Sequence, residues 1–296
     1  MQIPEFKEKG HNSVSLHHFD HFIILVNDLA AAIETYHALG FDVRAGGEHP
    51  AFGSHNALVA LADGAYLELL GFRDAARAEE SFWSDAVKML RVKEGFGGFA
   101  LASNDLAGDV AQLRKAALDV ADPNTGSRTR PDGQRVEWQA AIVGGTPSGA
   151  LPFLIQDVTP RELRVEPAKE GLGKQARVKE VVVAVKRADV SRDAYRALLG
   201  VEPRRVHNTA GDVTGYRFSL PWGTIIVAHP ESAGNAMADQ VSIRGEGLYA
   251  LTLVMEDANP ARRVMKTRNI KVEDETYGFL ISADAACGAR IRLLQA

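Results

Sequence analysis

A histidine and a glutamate stand out because each interrupts a segment with the composition of a buried strand. His21 lies in HFDHFIILV (18–26), and Glu68 lies in AYLELLGF (65–72). A carboxylate inside an apolar strand is costly unless it is paired or bound to a metal. His and Glu side chains are also common groups for positioned proton transfer. We therefore take His21 and Glu68 as candidate catalytic residues, with a purely structural His–Glu hydrogen bond as the alternative.

A second group of polar residues lies in the segment HPAFGSHN (49–56). Loops on a rigid scaffold often carry binding residues. His55 or Asn56 could hydrogen-bond a substrate oxygen, and His49 is a further candidate in the same loop. Asn also satisfies backbone groups at turns, so a structural role for Asn56 stays open.

Two arginines and a tryptophan form a third group. Arg128 and Arg130 precede a Pro-Asp-Gly turn at 131–133, and Trp138 follows in the next strand. A guanidinium can bind a carboxylate or phosphate through two hydrogen bonds, and an indole offers a flat apolar wall. We expect these residues to bind substrate, with a solvated basic loop and a core tryptophan as the alternative.

These candidates lie on a pattern of strand, helix and three strands that occurs four times. In the first unit, Asp28 can cap the helix, and Asp63-Gly64 is a strong hairpin signal. Aligning the first strands of the four units places Gly98, Glu180 and Tyr249 opposite His21. Units of similar length with variable loops indicate an internally duplicated fold.

Residues 158–178 break this repeat with prolines, glycines and dense charge, which is typical of a linker. We therefore predict an α+β fold with four βαβββ units paired into two domains, 1–160 and 177–296, joined by a linker at 161–176. Each domain should enclose a cleft between curved mixed sheets. The working pocket is expected in the first domain, whose inner strands carry more polar residues.

Composition excludes several other classes of protein. The chain has 296 residues, 46% hydrophobic and 24% charged, with a net charge of −4. These values favour a globular protein and argue against a dedicated nucleic-acid binder. No apolar run is long enough to cross a membrane, and the N-terminus has no signal-peptide core. A single cysteine, Cys287, excludes an internal disulfide, and we expect a cytoplasmic location.

Four motifs carry a resemblance to a known family. They are HPAFGSHN at 49–56, YLEL at 66–69, RTRPDGxxVEW at 128–138 and LPFLIQ at 151–156. With the βαβββ repeat, they resemble the glyoxalase-like branch of the vicinal oxygen chelate superfamily. That superfamily includes glyoxalase I, extradiol dioxygenases, methylmalonyl-CoA epimerase and the bleomycin resistance proteins. The specific match spans residues 18–157, and the resemblance implies two glyoxalase-like domains.

The resemblance also implies a test for a metal. In metal-dependent members, the first strand of a unit supplies a histidine and the last strand a glutamate, which here are His21 and Glu68. The paired unit should supply two more ligands, but those positions hold Gly98 and Phe153, which cannot coordinate. Two protein ligands make a weak site, so we expect no cofactor or a weakly bound divalent metal.

The equivalent positions of the second half fit a metal no better. The alignment places Glu180, Val227, Tyr249 and Arg292 there. The resemblance to extradiol dioxygenases would require a His/His/Glu iron triad, and it is missing from these positions. An extradiol dioxygenase is therefore disfavoured.

Two classes of function stay open. One is an enzyme, a lyase or isomerase by resemblance, that moves a proton on a small polar or anionic metabolite with or without a metal. The other is a non-catalytic protein that sequesters a small molecule, as bleomycin resistance proteins do. We expect a small-molecule ligand and neither a nucleic-acid nor a membrane partner, and a homodimer is left open.

Overall fold

The computed structural model describes residues 14–208 and 213–296. The first half contains eight strands: β1 (Leu16–Leu25), β2 (Arg44–His49), β3 (Ser54–Ala60), β4 (Tyr66–Phe72), β5 (Gly95–Ser103), β6 (Asn124–Thr129), β7 (Arg135–Ala141) and β8 (Phe153–Asp157). They form a closed barrel in the order β1-β4-β3-β2-β6-β7-β8-β5. The two unit-opening strands, β1 and β5, pair antiparallel at its centre.

The helices of the first half lie outside this barrel or at its ends: α1 (Leu29–Ala38), α2 (Ala75–Glu79), α3 (Ser84–Val92), α4 (Leu106–Lys115) and α5 (Arg161–Arg164). The predicted cap of α1 is confirmed, since the Asp28 carboxylate accepts a hydrogen bond from the Ala31 amide at 3.1 Å. The repeat gave no indication of α2 and α3, which are inserted between the first two units.

The second half repeats the element order without closing. Its strands are β9 (Arg177–Ala184), β10 (Arg204–Asn208), β11 (Val213–Leu220), β12 (Gly223–Pro230), β13 (Gly247–Met255), β14 (Val272–Glu275), β15 (Gly278–Ile281) and β16 (Arg290–Gln295). Its helices are α6 (Ala188–Leu199), α7 (Ala236–Ile243) and α8 (Asn259–Thr267). The sheet order is β10-β11-β12-β9-β13-β16-β15-β14, with β10 and β14 as open edges. The four predicted βαβββ units and the α+β class are therefore confirmed.

A narrow seam between β2 and β6 closes the first barrel. Glu48 pairs with Thr129 there, and Gly47 lies so close that an added Cβ would be 2.1 Å from the Thr129 carbonyl oxygen. Glu166 bridges the seam, because its carboxylate binds Arg44 of β2 at 2.9 Å and Arg130, which follows β6, at 2.7 Å.

The segment 161–176, which we predicted as a linker, packs into the first half. Arg164 is fully buried in the barrel, and Gly171 and Gly173 approach the backbone of residues 40–42 and of Ala60. Three charged residues of this segment, Arg161, Arg164 and Glu166, are paired with groups of the barrel.

Strand register fixes which residues of the four units are equivalent. The unit-opening strands carry β-bulges at Asp20, Gly97, Lys179 and Tyr249. The residues that follow these bulges are His21, Gly98, Glu180 and Ala250. The alignment of Tyr249 with His21 was therefore wrong by one residue, because Tyr249 is itself the bulge.

The same register corrects one position in a closing strand. Relative to the bulges, Glu68 corresponds to Phe153, Ile226 and Arg292. The expected Val227 is wrong by one residue. Val227 is buried in the main core, while Ile226 lines the cleft of the second half.

One apolar core runs through both halves. Tyr36 of the first half donates to the Ala286 carbonyl at 3.2 Å, and Tyr195 of the second half donates to the Ala150 carbonyl at 2.5 Å. The rings of Phe19 and Trp222 meet edge to face at 4.7 Å. The barrel that holds the candidate site is thus backed by the second sheet.

Candidate functional site

The candidate site is a cavity inside the closed barrel, with about 840 Å³ of space when its open mouth is included. Strands β1, β3, β4, β6, β7 and β8 each contribute to its wall. Its polar lining includes His21, His49, Asn56, Glu68, Arg128 and Arg164, and its apolar lining includes Phe52, Phe82, Trp83, Trp138, Phe153 and Ile155. The structure therefore brings His21, Asn56, Glu68, Arg128 and Trp138 together around one cavity.

His21 lies between two carboxylates. The bulge in β1 turns Asp20 to the same side as His21, and Asp20 Oδ1 lies 2.6 Å from His21 Nδ1. On the other side, His21 Nε2 lies 3.4 Å from Glu68 Oε2. The result is a buried line of acceptor, imidazole and acceptor.

The contacts of this line decide where a proton can lie on His21. When Asp20 accepts from Nδ1–H, it fixes the tautomer of a neutral imidazole and leaves the Nε2 lone pair facing Glu68. Two lone pairs repel, so the Nε2–Oε2 contact is attractive only when one proton lies between them. His21 Nε2 and Glu68 Oε2 therefore lie side by side, each an atom that can accept or release a proton.

Arg164 holds Asp20 in place. Its Nη1 and Nη2 donate to the two oxygens of Asp20 at 3.0 and 2.7 Å, and it also binds Asp157. Burial alone would raise the pKa of Asp20. Arg164, the hydrogen bond from His21 and Arg161 more than offset this and hold that pKa well below its usual range. Asp20 thus stays a carboxylate behind His21.

Aromatic rings fix the orientation of the imidazole. The Tyr66 ring stacks on His21 at 4.8 Å with an interplanar angle of 15°. Phe153 meets His21 edge to face at 5.3 Å. The Tyr66 hydroxyl accepts from Arg164 at 2.8 Å. His21 is therefore limited to motions that keep Nε2 towards Glu68.

Asn56 fixes the position of the other carboxylate oxygen of Glu68, Oε1. Its Nδ2 donates to Glu68 Oε1 at 2.6 Å, and its own Oδ1 is buried without a hydrogen-bond partner. A Cβ at Gly46 would lie 2.1 Å from that Oδ1. Gly46 therefore makes room for the Asn56 amide beside the cavity.

Arg128 is buried in the same wall. Its Nη2 donates to the Arg164 carbonyl, and its Nε has no partner. Burial lowers the pKa of Arg128, while Tyr66 and Glu68 oppose that shift. The guanidinium therefore keeps an unused donor within the wall of the cavity.

The remaining wall is largely aromatic. Trp138 packs over Gly126, where an added Cβ would lie 2.3 Å from the indole Nε1, and meets His49 edge to face at 6.0 Å. Phe82 is 43% exposed and contacts Phe52 at 4.7 Å. Burial lowers the pKa of His49, so a neutral imidazole is favoured there.

Two sequence candidates lie outside the cavity. Asn56 points into the barrel, so its neighbour His55 points to the opposite face of β3, where it lies against Gly71. Arg130 binds Asp132, Glu166 and the Leu163 carbonyl. Their expected contact with substrate is therefore corrected: Arg130 holds the seam, and His55 faces away from the site.

The donor set does not fit a catalytic divalent metal. Gly98 offers no ligand, and the Phe153 ring lies at the position of a further ligand. Glu68 Oε1 is held by Asn56, and His21 Nδ1 is held by Asp20. Residues 14–208 and 213–296 contain no group of three or more His, Cys, Asp or Glu side chains placed for a metal. A catalytic zinc normally has three protein ligands.

Sequence reasoning missed several residues of the site. Asp20 gave a signal, because it adjoins His21 in an apolar strand, but its orientation depends on a bulge. Arg164 was hidden in a segment of linker composition. Phe82 and Trp83 belong to the inserted segment between the first two units, which the repeat does not describe.

Paired βαβββ units around a polar cavity define a vicinal oxygen chelate fold. The glyoxalase-like domain family matches residues 19–199, which is more than half of the chain. The protein therefore belongs to the glyoxalase-like domain family.

Two solved structures with a similar fold extend over nearly the whole chain, and a third matches a smaller part of it. A hypothetical protein from Staphylococcus aureus has a TM-score of 0.68 and 16% identity, covering 94% of this chain and 99% of that one. A triple mutant of 4-hydroxymandelate synthase from Streptomyces coelicolor has a TM-score of 0.63 and 11% identity, covering 96% and 93%. Methylmalonyl-CoA epimerase from Mycobacterium tuberculosis has a TM-score of 0.37 and 20% identity, covering 40% and 86%.

No curated protein matches the sequence at a significant level. Among the described helices, none has the length and apolar character needed to span a membrane.

Proposed function

We propose that the first barrel binds a small molecule and moves a proton on it, with His21 and Glu68 as the acid–base pair. The single observation that carries this proposal is the Asp20–His21–Glu68 line, with contacts of 2.6 and 3.4 Å inside an enclosed cavity. A line of this kind can also have a purely structural role, but His21 and Glu68 line the cavity rather than the apolar core. Membership of the glyoxalase-like family supports a small-molecule ligand.

The chemistry follows from where the proton lies. Glu68 removes a proton from a carbon next to a carbonyl group, and the electron pair of that C–H bond moves to the carbonyl oxygen. His21 Nε2–H donates to this oxygen while its negative charge develops. Asp20 and Arg164 hold the imidazole in place. Return of the proton to the carbon gives an isomerase-type reaction without oxidant or reductant.

We further propose that this reaction needs no tightly bound metal, and that a divalent ion binds weakly at most. His21 Nδ1 is already held by Asp20 and Glu68 Oε1 by Asn56, and His21 Nε2 and Glu68 Oε2 face each other at 3.4 Å. A metal would have to replace these hydrogen bonds while gaining only two protein ligands. Burial in an enclosed barrel strengthens the remaining electrostatic contacts.

The test is the exchange of carbon-bound hydrogen for deuterium in heavy water, followed by proton NMR. The probes are 2-oxobutanoate and hydroxyacetone, an acidic and a neutral carbonyl compound. We expect the wild type to accelerate exchange in at least one probe. Glu68→Gln and His21→Gln should each lower that rate by about 10²–10⁴-fold, the usual contribution of a general acid or base.

Glu180→Gln is the matched control, because Glu180 occupies the His21 position of the third unit and lies outside the barrel. Its exchange rate should equal that of the wild type. Exchange that survives in Glu68→Gln would contradict the assignment. Saturable binding of a probe without exchange in the wild type would favour sequestration over catalysis.

A further inference from the structure

Two arginines are buried in the first barrel, and they differ in what balances their charge. Arg164 is 2% exposed and lies against two carboxylates, Asp20 and Asp157. Arg128 is 4% exposed, yet within residues 14–208 and 213–296 no carboxylate forms an ion pair with it. A buried charge without a counter-ion is strongly unfavourable. The charge of Arg128 nevertheless lies in the wall of the cavity.

The hydrogen bonds of Arg128 are also incomplete. Its Nη2 donates to the Arg164 carbonyl, which is a neutral acceptor. Its buried Nε has no partner, and the Oδ1 of Asn56 in the same wall has none either. Both side chains approach Gly46, where an added Cβ would lie 2.1 Å from Asn56 Oδ1 and 3.2 Å from Arg128 Nη1. An unsatisfied donor and an unsatisfied acceptor are thus buried close together within the wall of the cavity.

Glu68 does not supply the missing counter-ion. It attracts the Arg128 charge but does not come within the 4.0 Å of an ion pair. Its oxygens are already engaged, since Oε1 accepts from Asn56 at 2.6 Å and Oε2 faces His21 at 3.4 Å. A further acceptor therefore has to come from whatever fills the cavity.

We propose that the ligand of this cavity is a monocarboxylate with an apolar body, and that its carboxylate is the counter-ion of Arg128. This inference rests on the proposed function, because it concerns the same cavity. A guanidinium matches the two oxygens of one carboxylate. The negative charge of Glu68 nearby disfavours a dianion such as a phosphate ester. The rings of Trp83 and Trp138 offer the apolar body a flat surface.

The experiment compares an acid with its neutral amide. Phenylacetate and phenylacetamide have the same apolar body, and each is titrated by NMR into the wild type, Arg128→Met and Arg135→Met. The wild type should bind the acid roughly tenfold more tightly than the amide, as expected for hydrogen bonds to a charged group. Arg128→Met should lose this preference and keep its affinity for the amide. Arg135, which is exposed and paired with Glu137, is the matched control and should keep the preference.

A stability measurement guards against a folding defect. Because the Arg128 charge is unbalanced in the free protein, Arg128→Met should unfold in urea at a midpoint no lower than that of the wild type. A marked loss of stability would identify Arg128 as structural and overturn the inference.

Binding outcomes separate the inference from the proposed function. Equal affinity of the wild type for acid and amide, or a preference that survives in Arg128→Met, would overturn the carboxylate assignment. The proton-transfer proposal would then stand on its own exchange test. If the wild type binds neither phenylacetate nor phenylacetamide, the inference is overturned. The proposed function is rejected only if hydrogen exchange also fails.

Discussion

The two halves of the chain share one order of elements but differ in closure and in side chains. The first half pairs β2 with β6 and closes around a cavity, whereas β10 and β14 are the edge strands of the second sheet in the part of the chain that the structure describes. At the position of His21 the second half has Glu180, which binds Arg217 at 3.0 Å. At the position of Glu68 it has Ile226 and Arg292, and Arg292 binds Glu275 at 2.7 Å.

The two halves differ in how the charges at these equivalent positions are paired. In the second half, the charged residues at the equivalent positions are each neutralised by a partner: Glu180 by Arg217 and Arg292 by Glu275. In the first half, His21, Glu68 and an arginine without a carboxylate partner among the described residues, Arg128, lie in the wall of the cavity. The segment 161–176 contributes to the site and to the closure of the barrel. Arg164 binds Asp20 behind His21, and Glu166 bridges the seam between β2 and β6.

The largest expected effect comes from removing Arg164. Arg164→Met leaves the buried Asp20 without its main partner, and breaking a buried ion pair costs about 3–5 kcal/mol. Arg161→Met removes a more exposed arginine from the same Asp20 and should cost about 1 kcal/mol. Urea unfolding measures both free energies. Equal losses in the two variants would contradict the central role of Arg164.

The barrel seam gives the second prediction. Gly47 has φ +141°, and an added Cβ would press on the Thr129 carbonyl. Gly47→Ala should therefore push β2 from β6 and make the first half resemble the open second half. The expected cost is about 3 kcal/mol from backbone strain and overpacking, with loss of ligand binding.

Gly64→Ala is the control for this prediction, because Gly64 also has positive φ but meets nothing within 4 Å. It should cost about 1 kcal/mol from backbone strain alone and leave binding intact. A Gly47→Ala protein that binds ligand as well as Gly64→Ala would show that closure is unnecessary.

Acid should weaken the first half through groups whose pKa is lowered. Burial lowers the pKa of His18 to about 4 and also lowers that of His49. The unfolded chain takes up protons at these histidines near pH 6.5, so stability falls as the pH drops from about 6.5 towards 4. The low pKa of Asp20 adds a further loss below about pH 4. Urea midpoints at pH 7.5, 5.5 and 4.5 measure the first stage, which should shrink in the His18→Gln/His49→Gln double variant.

The smallest expected effect is that of chelation. We expect substoichiometric metal in dialysed wild type by elemental analysis, and no change in hydrogen exchange after treatment with a chelator. The reason is that only His21 and Glu68 occupy the superfamily ligand positions. One equivalent of metal that disappears in both His21→Ala and Glu68→Gln would restore a metal-dependent mechanism.

Sequence periodicity was sufficient for the fold, because each βαβββ unit carries its own strand, cap and turn signals. It also found His21 and Glu68, since polar residues in apolar strands are conspicuous. It failed where one residue of register matters, as at Tyr249, because a bulge leaves no mark in the apolar pattern. It failed again at Arg164, because the segment around this arginine has the composition of a linker. The partners of Arg164 come together only through tertiary packing.

The three tryptophans allow the most direct test of the claim that ligand binds inside the first barrel. Trp83 and Trp138 line its cavity, while Trp222 packs on Phe19 outside it. In ¹H–¹⁵N spectra assigned with Trp→Phe variants, phenylacetate should shift the indole signals of Trp83 and Trp138 saturably and leave Trp222 unmoved. A shift of Trp222 alone, or no saturable shift of Trp83 and Trp138, would contradict the claim.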